Sequence, residues 1–525
     1  MQHVILTAAA VILAASTFLA LTTQLQMLQQ NSYYNKRYLS YLRTALSWRT
    51  VLALVCTAVL ALFLWIPVWY GMWFLLLSAV FSVVRTVDVF QRQRKAIKRL
   101  AVTARVTRLY ATAGILLAVV CILTALLAAS RAPVMALCLL WLCTPALALL
   151  SNLINHPVER MVARYYINDA KKVLAGHPGL KIIGVTGSYG KTSTKYILGR
   201  MLSERYNVLI TPGSYNTPMG VVRTVREQLS ATHEVFVCEM GAKQVGDIQE
   251  ICDICHPDMG VITSVGPQHL NTFGSMENIV RTKFELADAV LAAGGRVFLN
   301  IENDWIRQKG QEMPCVRYGL RPGADVWADE ASFDRSGSSF TIHAGERSIP
   351  VHTRLLGAHA VLNITAAAAV AIELGLTDTE IKVAVSQLTP VAHRLEMKSF
   401  VNHSILIDDA YNSNPEGCLA AVDVLGSFEG MRKVIVTPGL VELGDKEYEC
   451  NHALGAAAAK VCDEIILVGE QRSAPLADGA KSAGCPPEKL VVVKSFQEAL
   501  ARLKASATHD TVVLIENDLP DNYAR

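Results

Sequence analysis

The pattern of apolar and polar positions divides the chain near residue 160. Before that point apolar residues come in long runs, 4–22, 51–84, 109–130 and 132–154, separated by polar loops. A helix needs roughly 20 apolar residues to cross a bilayer, so three of these runs each predict one span. The run 51–84 is too long for one, and Pro67, Tyr70 and Gly71 interrupt its middle, so it predicts a tight hairpin of two helices. The expectation is five spans, at 4–22, 51–66, 68–84, 109–130 and 132–154. The first run has neither a basic leader nor a small-residue cleavage site, which argues for a retained span over a cleaved signal peptide.

Beyond residue 160 the apolar runs shorten to strand length: KIIGVTG, VFVCEM, MGVITSV, KVIVTPG, EIILVGE, KLVVVKSF and TVVLIEN. Between them lie stretches of helical spacing, such as TKYILGRMLSERY, where Tyr196, Leu198, Met201 and Leu202 recur. Short buried strands alternating with helices predict parallel α/β sheets. The expected fold class is therefore an α-helical membrane segment followed by α/β. The boundaries read as 1–157 for the membrane segment, 178–352 for a central domain with a doubly wound sheet, and 353–525 for a Rossmann-like C-terminal domain. No Gly-x-Gly-x-x-Gly occurs, so a nicotinamide cofactor is not indicated.

Charge sharpens this division. The net charge of +4 hides a balance of +12 over residues 1–160 and −8 over the remainder. An acidic soluble portion excludes nucleic acid as the main partner, since a phosphate-backbone binder needs a basic face. Lys36, Arg37, Arg43 and Arg49 fill one loop of the membrane half, and Arg92, Arg94, Lys95, Lys98, Arg99, Arg105 and Arg108 fill another, whereas the opposite connections hold little beyond Arg131. Basic loops stay cytoplasmic. The expected placement is a multi-pass protein of the cell's inner membrane, N-terminus outside and the α/β portion in the cytoplasm. None of the spans carries an acidic residue at its centre, so they read as an anchor or a platform for a lipid substrate, not an ion relay. The twelve cysteines form no framework, and Cys252 and Cys255 read as two packed thiols, since no second pair follows to complete a zinc site.

The chemistry centres on TGSYGKTS, Thr186 to Ser193, between a predicted strand and a predicted helix. This is the context of a phosphate-binding P-loop. Gly187 and Gly190 let backbone N–H groups point at phosphate oxygens, with Ser188 and Ser193 in the same turn. Lys191 neutralises charge, and the Thr192 hydroxyl can ligate magnesium. Downstream, VFVCEM ends in Glu239, MGVITSVGPQHL leads to His269, and RTKFELADAV opens a helix with Lys283 near its start. Each stands at or just beyond a strand's carboxyl end, where doubly wound folds build their sites.

In order, TGSYGKTS, CEMGAKQVGDI, VGPQHLNTFGS, TKFE, LLGAHAVLN and DDAYNSNP resemble the Mur ligase family, above all its members that add D-alanyl-D-alanine to a muramyl tripeptide. The resemblance covers nearly all of residues 180–470. It implies an ATP-dependent amide ligase of cell-wall precursor synthesis with two magnesium ions: Thr192 and Glu239 hold the ion bound to ATP, and Glu239, His269 and a carbamylated Lys283 hold the second. It further implies that Asn363 reads the adenine edge, that Arg394 reaches the phosphates across a domain gap, and that Asp409 and Tyr411 grip the nucleotide, with Asn412 and Asn414 alongside. The implied partners are a muramyl-peptide precursor, UDP-linked or lipid-linked, an amine such as D-alanyl-D-alanine, the bilayer, and membrane proteins of cell-wall synthesis.

The chain departs from the family pattern at several points. Asn216 is followed by Thr217 where the family often has a second asparagine for its substrate. Ala360 replaces the first asparagine of Gly-His-Asn-x-x-Asn, Val441 precedes Glu442 where the family has methionine, and the end, LIENDLPDNY, lacks the expected glycine-rich turn. About 30 residues separate Ile154 from Thr186, too few for the soluble uridine-nucleotide domain that such relatives carry there. The spans take that place, which points to a lipid-linked donor. Two other readings remain at this level: a ligase extending another polymer, as in poly-γ-glutamate or folate synthesis, and a membrane scaffold regulated by ATP.

Overall fold

The computed structural model describes residues 2–31, 33–44, 71–95, 99–126, 144–268, 270–329, 331–334, 337–390, 393–410, 414–441 and 443–517. Its contacts divide the chain into two units, 1–165 and 166–524. The first unit is helical: α1 (Gln2–Gln30), α2 (Gly71–Lys95), α3 (Ala104–Leu126) and the start of α4 (Thr144–Ala175). Leu21, Leu25 and Leu28 of α1 meet Val106, Leu109, Ala113 and Leu117 of α3 in a buried seam. The far sides carry exposed apolar residues such as Val11, Ile115, Val119 and Ile122.

Five spans are not what the described residues contain. Two helices are long and apolar enough to cross a membrane, Thr7–Gln30 and Ala104–Leu123. The predicted span 51–66 and most of 132–154 lie outside the described residues. Residues 71–84 of the span predicted at 68–84 fall within α2, whose second half turns polar with Arg85, Asp88, Arg92 and Arg94; residues 68–70 lie outside the described residues. From Thr144 the last helix runs on through Pro157 into charged sequence without a break.

The second unit holds two sheets. In the first, β1 (Lys181–Thr186), β2 (Val208–Ile210), β3 (Val235–Glu239), β4 (Met259–Ile262), β5 (Arg296–Asn300), β6 (Val316–Gly319) and β7 (Val326–Ala328) run parallel. Their order continues into an antiparallel extension of β8 (Ser332–Asp334), β9 (Gly337–Ala344) and β10 (Arg347–Thr353), giving β10-β9-β7-β6-β5-β4-β1-β3-β2 with β8 against β9. The sheet is thus mixed, not purely doubly wound. Strands β1 and β3 are buried on both faces, which is why they read as continuous apolar runs without alternation. One face is covered by α5 (Lys191–Leu202) and α7 (Ala358–Glu373), the other by α6 (Met276–Ala292) and the end of α4. The core of this body extends to Leu388, beyond the boundary expected at 352, because the alanine-rich α7 packs on the sheet's face.

The second sheet comprises β11 (Glu396–Ser399), β12 (Ile405–Asp409), β13 (Arg432–Thr437), β14 (Glu464–Val468), β15 (Leu490–Val493) and β16 (Thr511–Glu516) in the order β11-β12-β16-β13-β14-β15. Only β11 is antiparallel. The four strands read from KVIVTPG, EIILVGE, KLVVVKSF and TVVLIEN are all present.

Cys252 and Cys255 are buried against the first sheet; Cys255 Sγ donates to the Ile251 carbonyl at 3.2 Å, and Cys252 Sγ lies 4.0 Å from Met240 Sδ. Burial pushes the Cys252 thiol up, opposite to what a metal ligand requires. Replacing either by alanine should cost about 1 kcal/mol of stability through lost packing. Ligase turnover should stay unchanged and elemental analysis should find no zinc; stoichiometric zinc would contradict the packing assignment.

Candidate active site

Strand β1 lies between β3 and β4, where the chain turns from one side of the sheet to the other. The carboxyl ends of these three strands therefore open on one crevice, the usual binding place in such sheets. Val185 pairs with Glu239 and Thr186 with Ile262, so the loop after β1 emerges directly beside the Glu239 carboxyl.

That loop is held from both sides. Thr186 Oγ1 donates to the Met240 carbonyl at 2.9 Å. On the β4 side, Ser188 N–H donates to Ser264 O at 2.7 Å, Tyr189 N–H to Ser264 Oγ at 2.9 Å, and Thr263 Oγ1 to Tyr189 O at 2.5 Å. A Cβ on Gly187 would sit 2.1 Å from Thr263 Oγ1, and one on Gly190, at φ 79°, would sit 2.9 Å from Asn363 Oδ1. The glycines are thus required by close approach as well as by backbone freedom. Helix α5 begins at Lys191 with no side-chain cap, so its first N–H groups point into the crevice as an anion site.

Of the predicted phosphate-loop residues, Ser193 lines the cavity, whereas the Ser188 hydroxyl is used internally, accepting from Gly266 N–H at 3.0 Å and donating to Gly266 O at 3.1 Å. Lys191 Nζ donates to the Gly187 and Ser188 carbonyls at 2.7 and 2.9 Å. Burial pulls its ammonium down to about 8 against the partial support of Glu239, with Arg394 adding to the fall.

Glu239 is 1% exposed and held at both oxygens. Its Oε1 accepts from Thr192 Oγ1 at 3.0 Å and Asn216 Nδ2 at 3.1 Å, and its Oε2 from Lys195 Nζ at 3.1 Å. A carboxylate and a hydroxyl oxygen side by side at a phosphate loop are the hard-oxygen donors magnesium prefers, so the residues present fit that ion. Lys283 is 3% exposed. It lies in the second turn of α6, which starts earlier than expected because Ser275 caps it. Burial, then the nearby Lys191 charge, drives the Lys283 amine well below its ordinary range. A neutral amine is the form that adds carbon dioxide, so this position also fits carbamylation.

The second sheet faces the loop across a cavity of about 990 Å³, lined by Gly190, Ser193, Asn300, Trp305, His359, Asn363, Arg394, Asp409, Asn414 and Glu416 among others. Arg394 stands between two non-glycine residues at positive φ, His393 (61°) and Leu395 (44°). Such strain persists only where surroundings enforce it. Here Leu395 N–H donates to Asp409 Oδ1 at 3.0 Å, His393 N–H to Glu396 Oε2 at 3.0 Å, and His393 Nδ1 lies 2.8 Å from Asp408 Oδ2. Successive aspartates of β12 thus hold the turn that presents Arg394. His393, Glu396 and Asp408 cluster as metal ligands would, but Lys398 Nζ already sits 2.8 Å from both carboxylates. Burial pushes Asp409 up to about 6.

Asn363 accepts from Thr194 Oγ1 at 3.1 Å, so its amide NH₂ is the group left for a ligand. Asn414 and Thr217 each cap a helix, accepting from Gly417 and Gly220 N–H, while Asn414 also lines the cavity. His269, Tyr411 and Asn412 lie outside the described residues. Three participants escaped the sequence reading: Lys195, the Thr263–Ser264 staple and the half-buried His359, pulled down to about 4 by desolvation of its ring and by Arg394. The polar pair directly after a buried strand was the available signal for the staple. Lys195 looked like an ordinary helix-surface lysine.

The fold and loop define a P-loop α/β protein whose second sheet faces the loop across a cavity. Two domain families match: the Mur ligase middle domain over 185–371 and the Mur ligase glutamate ligase domain over 393–516. The chain is 32% identical over 369 residues to the UDP-N-acetylmuramoyl-tripeptide–D-alanyl-D-alanine ligase of Mycobacterium bovis, covering 66% of this chain and 72% of that one. It is 31% identical over 305 residues to the Bacillus subtilis ligase of the same name, with 58% and 65% covered. Among solved structures it is similar to MurF from Acinetobacter baumannii (TM-score 0.61, 30% identity, 68% of this chain and 77% of that chain) and to MurF from Thermotoga maritima in complex with ADP (0.61, 25%, 68% and 80%). The chain belongs to the Mur ligase family and is an ATP-dependent ligase.

Two outcomes follow. Gly187→Ala should abolish measurable ADP binding in calorimetry while thermal melting moves little, because the clash falls on the loop. ADP affinity should be flat below pH 8 and fall by up to about tenfold per unit above it, since phosphate binds the protonated Lys191 and each pH unit is worth about 1.4 kcal/mol. Calorimetric titration across this range reads the profile.

Proposed function

We propose that the chain joins D-alanyl-D-alanine to a muramyl tripeptide. The γ-phosphoryl group of ATP passes to the tripeptide's terminal carboxylate, giving an acyl phosphate and ADP. The dipeptide amine then attacks the acyl carbon and phosphate leaves as the amide forms. The observation that carries this reading is the Thr192–Glu239 oxygen pair, with Lys191 interacting with buried Lys283, at the same loop whose Gly190 and Ser193 line a cavity together with Arg394. No enzyme nucleophile is required, because positioning and charge neutralisation supply most phosphoryl-transfer catalysis.

In this assignment Lys191 and the first N–H groups of α5 hold the phosphates, and Arg394 meets the transferred group from the other sheet. Asn363 reads the adenine edge, and Asp409 and Tyr411 close on the nucleotide. Thr192 and Glu239 hold one magnesium ion, with Glu239, His269 and carbamylated Lys283 on a second. When bound, magnesium offsets the phosphate charge. Asn216, Thr217, Asn412 and Asn414 belong to the substrate side. The two apolar helices of the first unit support a membrane anchor, and the basic loops of the sequence extend it to a multi-pass inner-membrane placement, N-terminus outside, that brings the cytoplasmic ligase to a lipid-linked donor and to membrane proteins of cell-wall synthesis.

The mass of the product formed from muramyl tripeptide, ATP and D-alanyl-D-alanine tests the reaction. ATP cleavage that ignores both carboxylate and amine would sink it, and turnover only with a glutamate-type acceptor would favour polymer extension. Comparing UDP-linked with lipid-linked tripeptide tests the donor; use of the soluble one alone removes the lipid assignment. Lys283→Ala should lower turnover at least about 100-fold, as loss of a group that orders a metal does. A carbamate carbon signal from ¹³C-bicarbonate should appear in the parent protein and vanish in that variant.

A further inference from the structure

Lys195 has no place in the mechanism above, yet it is fully buried beside the site. It follows Thr192 by three residues on α5, so both side chains project from the same face of the helix. Both reach Glu239, but at different oxygens: Thr192 Oγ1 at Oε1, and Lys195 Nζ at Oε2, 3.1 Å away. Lys195 Nζ also donates to the Gly213 carbonyl at 2.6 Å, in the loop that supplies Asn216 to Oε1. The carboxylate is thereby divided, one oxygen facing a buried ammonium and the other facing the hydroxyl of the phosphate loop.

We propose that Lys195 is a positioning residue that selects the oxygen of Glu239 offered to the divalent cation. By occupying Oε2 it fixes the carboxylate plane and turns Oε1 toward Thr192 and the phosphate loop as the metal-facing oxygen. A buried carboxylate held by Thr192 and Asn216 alone is tied at one oxygen and free to rotate about it; the ammonium removes that freedom. This inference rests on the assignment of Glu239 as a magnesium ligand.

The test uses the full chain in detergent with ADP and Mn²⁺ as probe, read by electron paramagnetic resonance. Lys195→Gln keeps a donor but removes the charge. It should raise the Mn²⁺ concentration for half-saturation of the ADP complex about tenfold or more, in the range found when groups orienting a metal ligand are lost. ADP affinity without metal should stay unchanged. Glu239→Gln should weaken Mn²⁺ by itself, and adding Lys195→Gln to it should weaken it no further, because Lys195 acts through that carboxylate.

If Glu239→Gln leaves Mn²⁺ binding unchanged, the ligand assignment falls and this inference with it. If Glu239→Gln weakens binding while Lys195→Gln does not, or if the two effects add in the double variant, the positioning role alone is overturned. Should Lys195→Gln fail to fold, Lys195→Met replaces it in the same Mn²⁺ titration and cycle, with the same result supporting or overturning the positioning role.

Discussion

Moving a carboxylate out of water costs several kcal/mol unless its lone pairs are met by donors and its charge by a cation. Glu239 is out of water, at the end of a strand buried on both faces. Its demands organise the centre of the ligase body. Thr192 and Lys195 answer them from the first turns of α5, and Asn216 answers from the loop after β2. Those contacts dock the start of α5 against β3 and so aim its free N–H groups at the crevice. The Thr263–Ser264 staple does the same from the β4 side. Phosphate geometry is therefore set by what a buried charge requires.

Around this carboxylate the site is rich in cations. Lys283 is buried and Lys191 half-buried, and both are driven below the ordinary lysine range. The two shifts serve different ends. Lys191, pulled down to about 8, keeps its charge near neutral pH to meet an anion, whereas burial and the Lys191 charge drive the Lys283 amine toward its neutral form. Arg394 comes from a strained turn of the other half, tied down by Asp409 at Leu395 and by Asp408 at His393. Asp409 thus has a structural task besides any contact with nucleotide.

The N-terminal unit obeys a different solvent logic. Its helices meet through a leucine-rich seam and leave other apolar side chains on the outside. Two of them have the length and composition of spans. Hydropathy runs alone suggested more, because a window of apolar residues carries no information on where a helix ends. The helix 144–175 illustrates this, continuing through Pro157 and a change of composition that looked like a boundary.

Much of the ligase portion could be read directly. The parallel strands are legible because burial on both faces demands unbroken apolar runs, and the phosphate loop because only glycine tolerates Gly187 and Gly190 in their surroundings. Glu239 was legible as an acid ending such a run. The antiparallel extension β8–β10 and the packing of α7 on the first sheet were not, since pairing partners are chosen by long-range contacts. Nor was Lys195, whose spacing on a helix suits a solvated face equally well. What the sequence determined was the chemistry available and its order along the strands. Only the tertiary structure decided which lysines lose water, because desolvation depends on what packs over a residue and not on its neighbours in the chain.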